Sequence, residues 1–247
     1  MDAFFGSDMC NRYNIKSDLA TLVAELFAKA PVSFDVPEEV FPGKPAPGML
    51  FNSDGRRELH PMRFGLIPAG KTATTKPPFF NNARIESRDK WPWNRAFVKQ
   101  RCVIPMTSFR EPAYWGEDAG AELQFFSSDH SLLLAAGIHT TYEVGPGCLS
   151  YSMSLLMRPA FPYVFENGHH RSPFFLRADG VDAWLDQANE PVGTLHGFAH
   201  APDLNHSIAR QMSPSWKKRQ QANLTKRDAQ ELAMKTDGPL GLGSGSV

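Results

Sequence analysis

A single α+β domain, mostly β, is what this sequence predicts, and three observations lead there. Short strand-like apolar runs recur through the middle of the chain, separated by Gly, Pro, Asn and Asp clusters that read as turns. The 20 prolines and an aromatic share of 11% suit many short elements rather than a helical bundle. No internal repeat or linker divides the 247 residues, a length that can bury a substantial core as one unit.

Taken in order, Ser17 is placed to cap a helix over 17–30, with Leu19, Leu22, Val23, Leu26 and Phe27 on one face and Pro31 as its stop. The stretch 31–47 is punctuated by Pro and Gly and reads as irregular. Strands are expected over 49–51 and 59–67, joined by the turn Asn52-Ser53-Asp54-Gly55. Residues 68–82 form a loop rich in polar groups, a place where function concentrates. Between Arg84 and Arg101 six cations (Arg84, Arg88, Lys90, Arg95, Lys99, Arg101) face two acids (Glu86, Asp89), with Trp91 and Trp93 interleaved. That pattern suits a nucleic-acid backbone with stacked bases, or a solvated helix face with core-anchored tryptophans. From this segment alone the second reading weighs more.

Runs at 102–106, 123–127, 132–140 and 149–156 predict an antiparallel meander. A further strand is expected at 174–176, a short helix over 180–186 burying Trp184 and Leu185, and a last strand over 191–201. From Ser213 the chain turns basic at Lys217-Lys218-Arg219, then polar and helical to about 235, then low in complexity, so 213–247 is expected as a partly disordered tail.

Bulk properties exclude several classes. Three cysteines, at 10, 102 and 148, make neither a disulfide framework nor a metal-binding spacing and suggest a reducing compartment. Zero formal charge argues against a nonspecifically basic protein but permits a local basic groove. Residues 1–8 lack the pattern of a secretory signal, and no apolar run approaches the ~20 residues of a membrane span. A cytoplasmic or nucleoid-associated monomer with no membrane partner is expected.

Five stretches then share one resemblance. Met9-Cys10-Asn11-Arg12-Tyr13, Phe64-Gly65-Leu66-Ile67-Pro68, Asn82-Ala83-Arg84-Ile85-Glu86-Ser87, Arg101-Cys102-Val103-Ile104-Pro105 through Glu111, and His169-His170-Arg171-Ser172-Pro173 resemble, in order, motifs of the SOS response-associated peptidase (SRAP) family. Departures from the family pattern fall at Asn11, Phe64, Arg110, Pro112 and Ser172. The resemblance implies antiparallel sheets curled into a barrel-like core over 10–212, with helices outside and a groove for single-stranded DNA. It implies a DNA-protein crosslink at abasic sites, no cofactor and no metal. Cys10, Asn82, Glu111 and His169 would be the catalytic residues, and Arg12, Asn82, Arg84 and Arg171 the DNA contacts. Of the adjacent histidines, spacing to Pro173 selects His169, and neighbouring side chains ordinarily point apart.

The implied chemistry explains the residue types. An α-amine adds to the aldehyde of a ring-opened abasic site, loses water to give an imine, and an adjacent thiol closes a thiazolidine. Only an N-terminal cysteine carries both groups, so Cys10 requires residues 1–9 to be absent, through a start at Met9 or self-cleavage of the Met9–Cys10 bond. A carboxylate and an imidazole suit the proton transfers. Three alternatives compete. A thiol peptidase or amidase using Cys10 and His169 is one, and a noncatalytic single-stranded-DNA-binding module is another. A metal hydrolase on His196, His200 and His206 ranks low, because His196-Gly-Phe-Ala-His200 lacks the glutamate of a zinc helix.

Overall fold

A computed structural model describes residues 12–73 and 80–215. In chain order the elements are β1 (Arg12–Asn14), α1 (Leu19–Glu25), β2 (Glu39–Val40), β3 (Pro45–Phe51), β4 (Arg57–Phe64), β5 (Asn82–Arg84), α2 (Asn94–Lys99), β6 (Arg101–Met106), β7 (Ser108–Pro112), β8 (Ala121–Ser127), β9 (Leu133–Gly145), β10 (Cys148–Pro159), α3 (Pro162–Glu166), β11 (Arg171–Pro173), β12 (Phe175–Leu176), α4 (Val181–Leu185), α5 (Pro191–Phe198), β13 (Ala199–His200) and β14 (Leu204–Gln211).

Strands β10, β4, β3, β6 and β9 pair in that order, and β9 pairs back onto β10, closing a five-strand barrel. Closure leaves these five strands without a free edge between them. Strands β5, β11, β12 and β13 extend the same sheet, and β14-β8-β7-β1-β2 form a second one. The α+β expectation of one domain with a barrel-like core and few peripheral helices holds. Pairing is mostly antiparallel, with short parallel contacts of β10 to β4 and to β5.

The two sheets are one continuous run of chain at their junction. Only Thr107 separates β6 in the barrel from β7 in the second sheet. Its N–H and its hydroxyl both donate to the Asn14 carbonyl, so the crossing point is bonded to β1. Beneath it, Phe109 of the second sheet lies 5.7 Å from Phe175 of β12, and Tyr13 meets Phe64 edge-on at 5.2 Å. All four side chains are buried, so the second sheet is packed against the barrel by aromatic area.

Local chemistry explains where the expected elements form and where they differ. The β3–β4 turn forms as expected: the Asn52 carboxamide oxygen accepts from the N–H groups of Asp54 and Arg56, and Gly55 takes a φ of +71°. The first helix is shorter than expected and is capped by Asp18, which accepts from the Thr21 N–H, rather than by Ser17. It ends at Glu25 because Lys29 is drawn into backbone bonds with Arg57 and Leu59, leaving Phe27 at positive φ and exposed.

Residues 191–201 are the clear error of sequence reading. Residues 191–198 form helix α5 and only Ala199–His200 pair as a strand, β13, because Pro191 occupies the first turn of the helix and the Glu190 carboxylate accepts from the N–H groups of Val192 and Gly193. Strands β1, β2, β5, β7, β11 and β14 lie outside the expected runs, and β14 pairs with β8 along its length while burying only Leu204 among its side chains. Of the expected meander, β8 lies in the second sheet, while β9 and β10 are sequential neighbours. Arg101 is also not a surface cation. It is buried and donates to the carbonyls of Trp184, Asn189 and Asp186, fastening α4 to the barrel. The basic tail from Trp216 onward lies outside the described residues.

His139 on β9 is buried, with its ring 5.7 Å from Tyr151, which in turn meets His60. Burial first, and the neighbouring His60 second, push the His139 pKa down to about 4. The unfolded chain therefore binds this proton more readily than the folded one. His139 contributes stability that is fully present above the ordinary histidine pKa of ~6.5 and is lost as pH falls toward about 4. Urea unfolding is expected to show stability falling by on the order of 2–3 kcal/mol between pH 7 and pH 4.5 from this site. In His139→Leu that part of the slope disappears.

Candidate functional site

Glu111 lies on β7, on the face opposite Arg110, and points between the sheets. His169 follows α3 by way of Gly168. Both side chains are fully buried, and Glu111 Oε2 lies 3.2 Å from His169 Nε2. The other ring nitrogen, Nδ1, is 2.9 Å from the Pro112 carbonyl oxygen. A carbonyl only accepts, so Nδ1 carries hydrogen, and Nε2 faces the carboxylate. One further proton therefore sits between Glu111 and His169: either an imidazolium meets a carboxylate, or a neutral imidazole accepts from a carboxylic acid. A bare carboxylate facing the imidazole lone pair at this distance would be repulsive, so the proton belongs between them.

Backbone contacts explain how residues so far apart in sequence are brought together. After Glu111, the Tyr114 N–H donates to the Gly168 carbonyl, and the Trp115 indole donates to the Phe165 carbonyl. Before His169, its own N–H returns to Val164 of α3. Tyr114 also stacks on the His169 ring, with centroids 5.2 Å apart and planes 29° from parallel.

His170 does not point away from its neighbour. Its ring is buried and stacks on His169 at 4.7 Å and 24°. Tyr114 and His170 are thus members of the site that sequence reasoning did not place. Only their adjacency to Glu111 and His169 signalled them.

Among the described residues, the remaining expected ones lie on β1, β5 and β11. Asn82 is buried at the start of β5, which pairs with β10 at Leu155. Arg84 ends β5 and is partly exposed. The Arg171 guanidinium, 3% exposed, binds both oxygens of Glu86, at 2.7 and 2.9 Å. A phosphate reaches it only if Glu86 gives way.

Arg12 opens β1 opposite Arg110 on the outer face of the second sheet. It lies 3.7 Å from both Glu39 and Glu122, with its guanidinium 5.2 Å from the Phe41 ring centre. Cys10 lies outside the described residues. The strand it leads into, β1, is hydrogen-bonded to β7, the strand of Glu111. His206, one of the three histidines of the metal-hydrolase reading, is taken up elsewhere: its ring bonds the Tyr163 hydroxyl at 2.9 Å and Asp118 at 3.2 Å.

Three of the departures from the family pattern are accommodated by direct contacts. Phe64 packs on Tyr13, the Ser172 hydroxyl accepts from the buried Phe161 N–H, and Pro112 supplies the carbonyl that orients His169. Arg110 points outward to Glu39 at 2.7 Å.

Fold and site together define a closed five-strand barrel carrying a second sheet, with a buried proton-sharing carboxylate and imidazole between them. The SOS response associated peptidase (SRAP) family model matches residues 9–226, and the chain belongs to this family. Among curated proteins it is similar to the abasic site processing proteins YoaM and YoqW of Bacillus subtilis. YoaM is 24% identical over 165 residues, covering 66% of this chain and 72% of YoaM. YoqW is 23% identical over the same length, covering 66% and 73%. Among solved structures, a protein from Bordetella bronchiseptica superposes with a TM-score of 0.67 at 22% identity, covering 81% of this chain and 100% of that one. One from Bacteroides thetaiotaomicron does so at 0.66 and 17%, covering 81% and 92%.

Gly168 is where the arrangement has least slack. Its φ is +95°, and a Cβ there would collide with the Trp115 carbonyl oxygen. Gly168→Ala is expected to lower the urea midpoint by an amount equivalent to about 2 kcal/mol or more. A variant at full stability would show that the 113–115 and 165–169 segments do not lock one another.

Proposed function

We propose that the protein processes abasic sites in single-stranded DNA by covalent capture through Cys10, once Cys10 is the first residue of the chain. The observation that carries this reading is the buried Glu111–His169 pair, 3.2 Å apart and fixed in one tautomer by Pro112. Family membership and the names of the curated relatives support the substrate.

The steps balance as follows. The Cys10 α-amine adds to the aldehyde carbon to give a carbinolamine, which loses one water to become an imine. The thiol then adds across the carbon-nitrogen double bond, its proton passing to nitrogen, and a thiazolidine results. One water is released in all, with no change of oxidation state. Loss of hydroxide from the carbinolamine needs a proton, and closure of the ring needs one moved from sulfur to nitrogen. A pair already sharing a single proton supplies both directions of transfer without exposing a buried charge. Asn82 positions the lesion or the N-terminal residue, and Arg84 serves a phosphate beside it, whereas Arg12 reaches one only by leaving Glu39 and Glu122.

Removal of residues 1–9 uses the same groups. The Cys10 thiol attacks the Met9 carbonyl, the amide nitrogen leaves as an amine with a proton, and one water hydrolyses the thioester. A start at Met9 followed by methionine removal reaches the same mature chain.

Intact-mass spectrometry before and after incubation with abasic single-stranded DNA tests the reading. A covalent adduct is expected on a chain beginning at Cys10, and none with Cys10→Ala. Glu111→Gln is expected to slow adduct formation roughly 100- to 10,000-fold, as loss of general acid-base catalysis does. A crosslinking-competent protein that still carries residues 1–9 would refute the thiazolidine route.

A further inference from the structure

The segment between β5 and α2 carries an aromatic surface that the chemistry above does not use. Of the two interleaved tryptophans, Trp93 is packed against the core, as a helix-anchoring residue should be. Trp91 is not: it is 65% exposed. Phe80 stands near-perpendicular to both, with ring centres 5.8 Å from Trp91 and 5.5 Å from Trp93. Trp91 is therefore held from behind by a ring that is itself fixed to the core tryptophan. A large apolar ring kept in water by a rigid brace is a site for a partner rather than a packing residue.

Position and charge indicate which partner. Phe80 bridges to Leu66, and two residues later Asn82 begins β5. Within β5 alternate side chains share a side, so Asn82 and Arg84 lie together, two residues on from Phe80 along the chain. Trp91 thus leans on the ring just ahead of the strand that carries Asn82 and Arg84. Lys90 and Arg95 flank it, both exposed and neither ion-paired among the described residues. A flat π-face between two unpaired cations matches a nucleotide of a single strand, whose base stacks and whose phosphates need neutralising.

We infer that Trp91, braced by Phe80, is the stacking platform for an unpaired base beside the abasic nucleotide, with Lys90 and Arg95 on the adjoining phosphates. This rests on the proposed DNA reading and adds to it the neighbouring base as a recognised element. Stacking tolerates any base, so the platform adds affinity for a strand without reading its sequence. It also gives the lesion a register, since the nucleotide next to a missing base is the one held.

The test separates this inference from the covalent chemistry by using a tetrahydrofuran abasic analogue, which has no aldehyde and forms no imine. Binding of the full chain is measured on single-stranded oligonucleotides in which the nucleotides flanking the analogue either keep their bases or are themselves tetrahydrofuran. With bases present, Trp91→Ala is expected to weaken binding roughly tenfold or more, and Trp91→Phe much less. With the flanking bases removed, wild type and Trp91→Ala should bind alike. Equal weakening on both probes, no weakening on either, or no binding by the wild type overturns the inference. Trp91-dependent binding by a protein that never crosslinks to the aldehyde form would remove the covalent reading and leave this one. A crosslink with no Trp91 dependence would do the reverse.

Discussion

A single proton held between two fully buried groups is the constraint on which the rest of the structure depends. Glu111 and His169 are both fully buried, and backbone contacts hold their geometry. It is supplied twice. The Pro112 carbonyl fixes the imidazole from one side, and hydrogen bonds from Tyr114 and Trp115 to the chain leaving α3 fix the approach of the two segments. The stack of Tyr114, His169 and His170 fills the remaining space with aromatic faces. A loosely built version of this site would either admit water or neutralise both groups. The barrel and its second sheet prevent that by making β6 and β7 one run, so that the strand of Glu111 is anchored at both ends.

Much of the fold was legible in the sequence because it is written in short apolar runs with local turn chemistry. The β3–β4 hairpin, β6, β9, β10 and the Trp184 helix formed where periodicity and turn residues put them. What was illegible follows from signals that compete. Residues 191–201 hold both a helix start, set by Pro191 and the Glu190 carboxylate, and the two-residue strand β13. Strand β14 is an edge of the second sheet with one buried side chain, so it had no apolar pattern to display. Ring closure of β9 onto β10 is a property of pairing, which composition does not carry.

For the site, the sequence marked residue types but not their relations. Glu111 and His169 were named through a family likeness, and nothing in their spacing showed that they touch. The acceptor that sets the tautomer is a backbone carbonyl, invisible to any reading of side chains. The rule that adjacent residues point apart failed at His169 and His170 because an aromatic stack bends both rings to one side. Cations were the least transparent class. Arg101 serves three carbonyls inside the fold, and Arg171 is committed to Glu86, so a run of basic residues overstated the charge offered to a polyanion.

That reduction in available charge bears on how such a protein holds a polyanion at all. The chain's formal charge is zero, and several of its arginines are already spent on carboxylates or carbonyls: Arg12 and Arg110 lie against Glu39 and Glu122, and Arg57 against Asp182. Long-range attraction is therefore weak, and binding has to come from a few unshared cations close to the lesion together with contacts that do not depend on charge. Stacking is such a contact, and it survives salt that screens phosphate contacts. On the proposed reading, a chain of zero formal charge with the buried Glu111–His169 pair and the braced, exposed Trp91 recognises a strand at short range. The proposed selectivity then lies in chemistry at the aldehyde rather than in affinity for DNA as a polyelectrolyte.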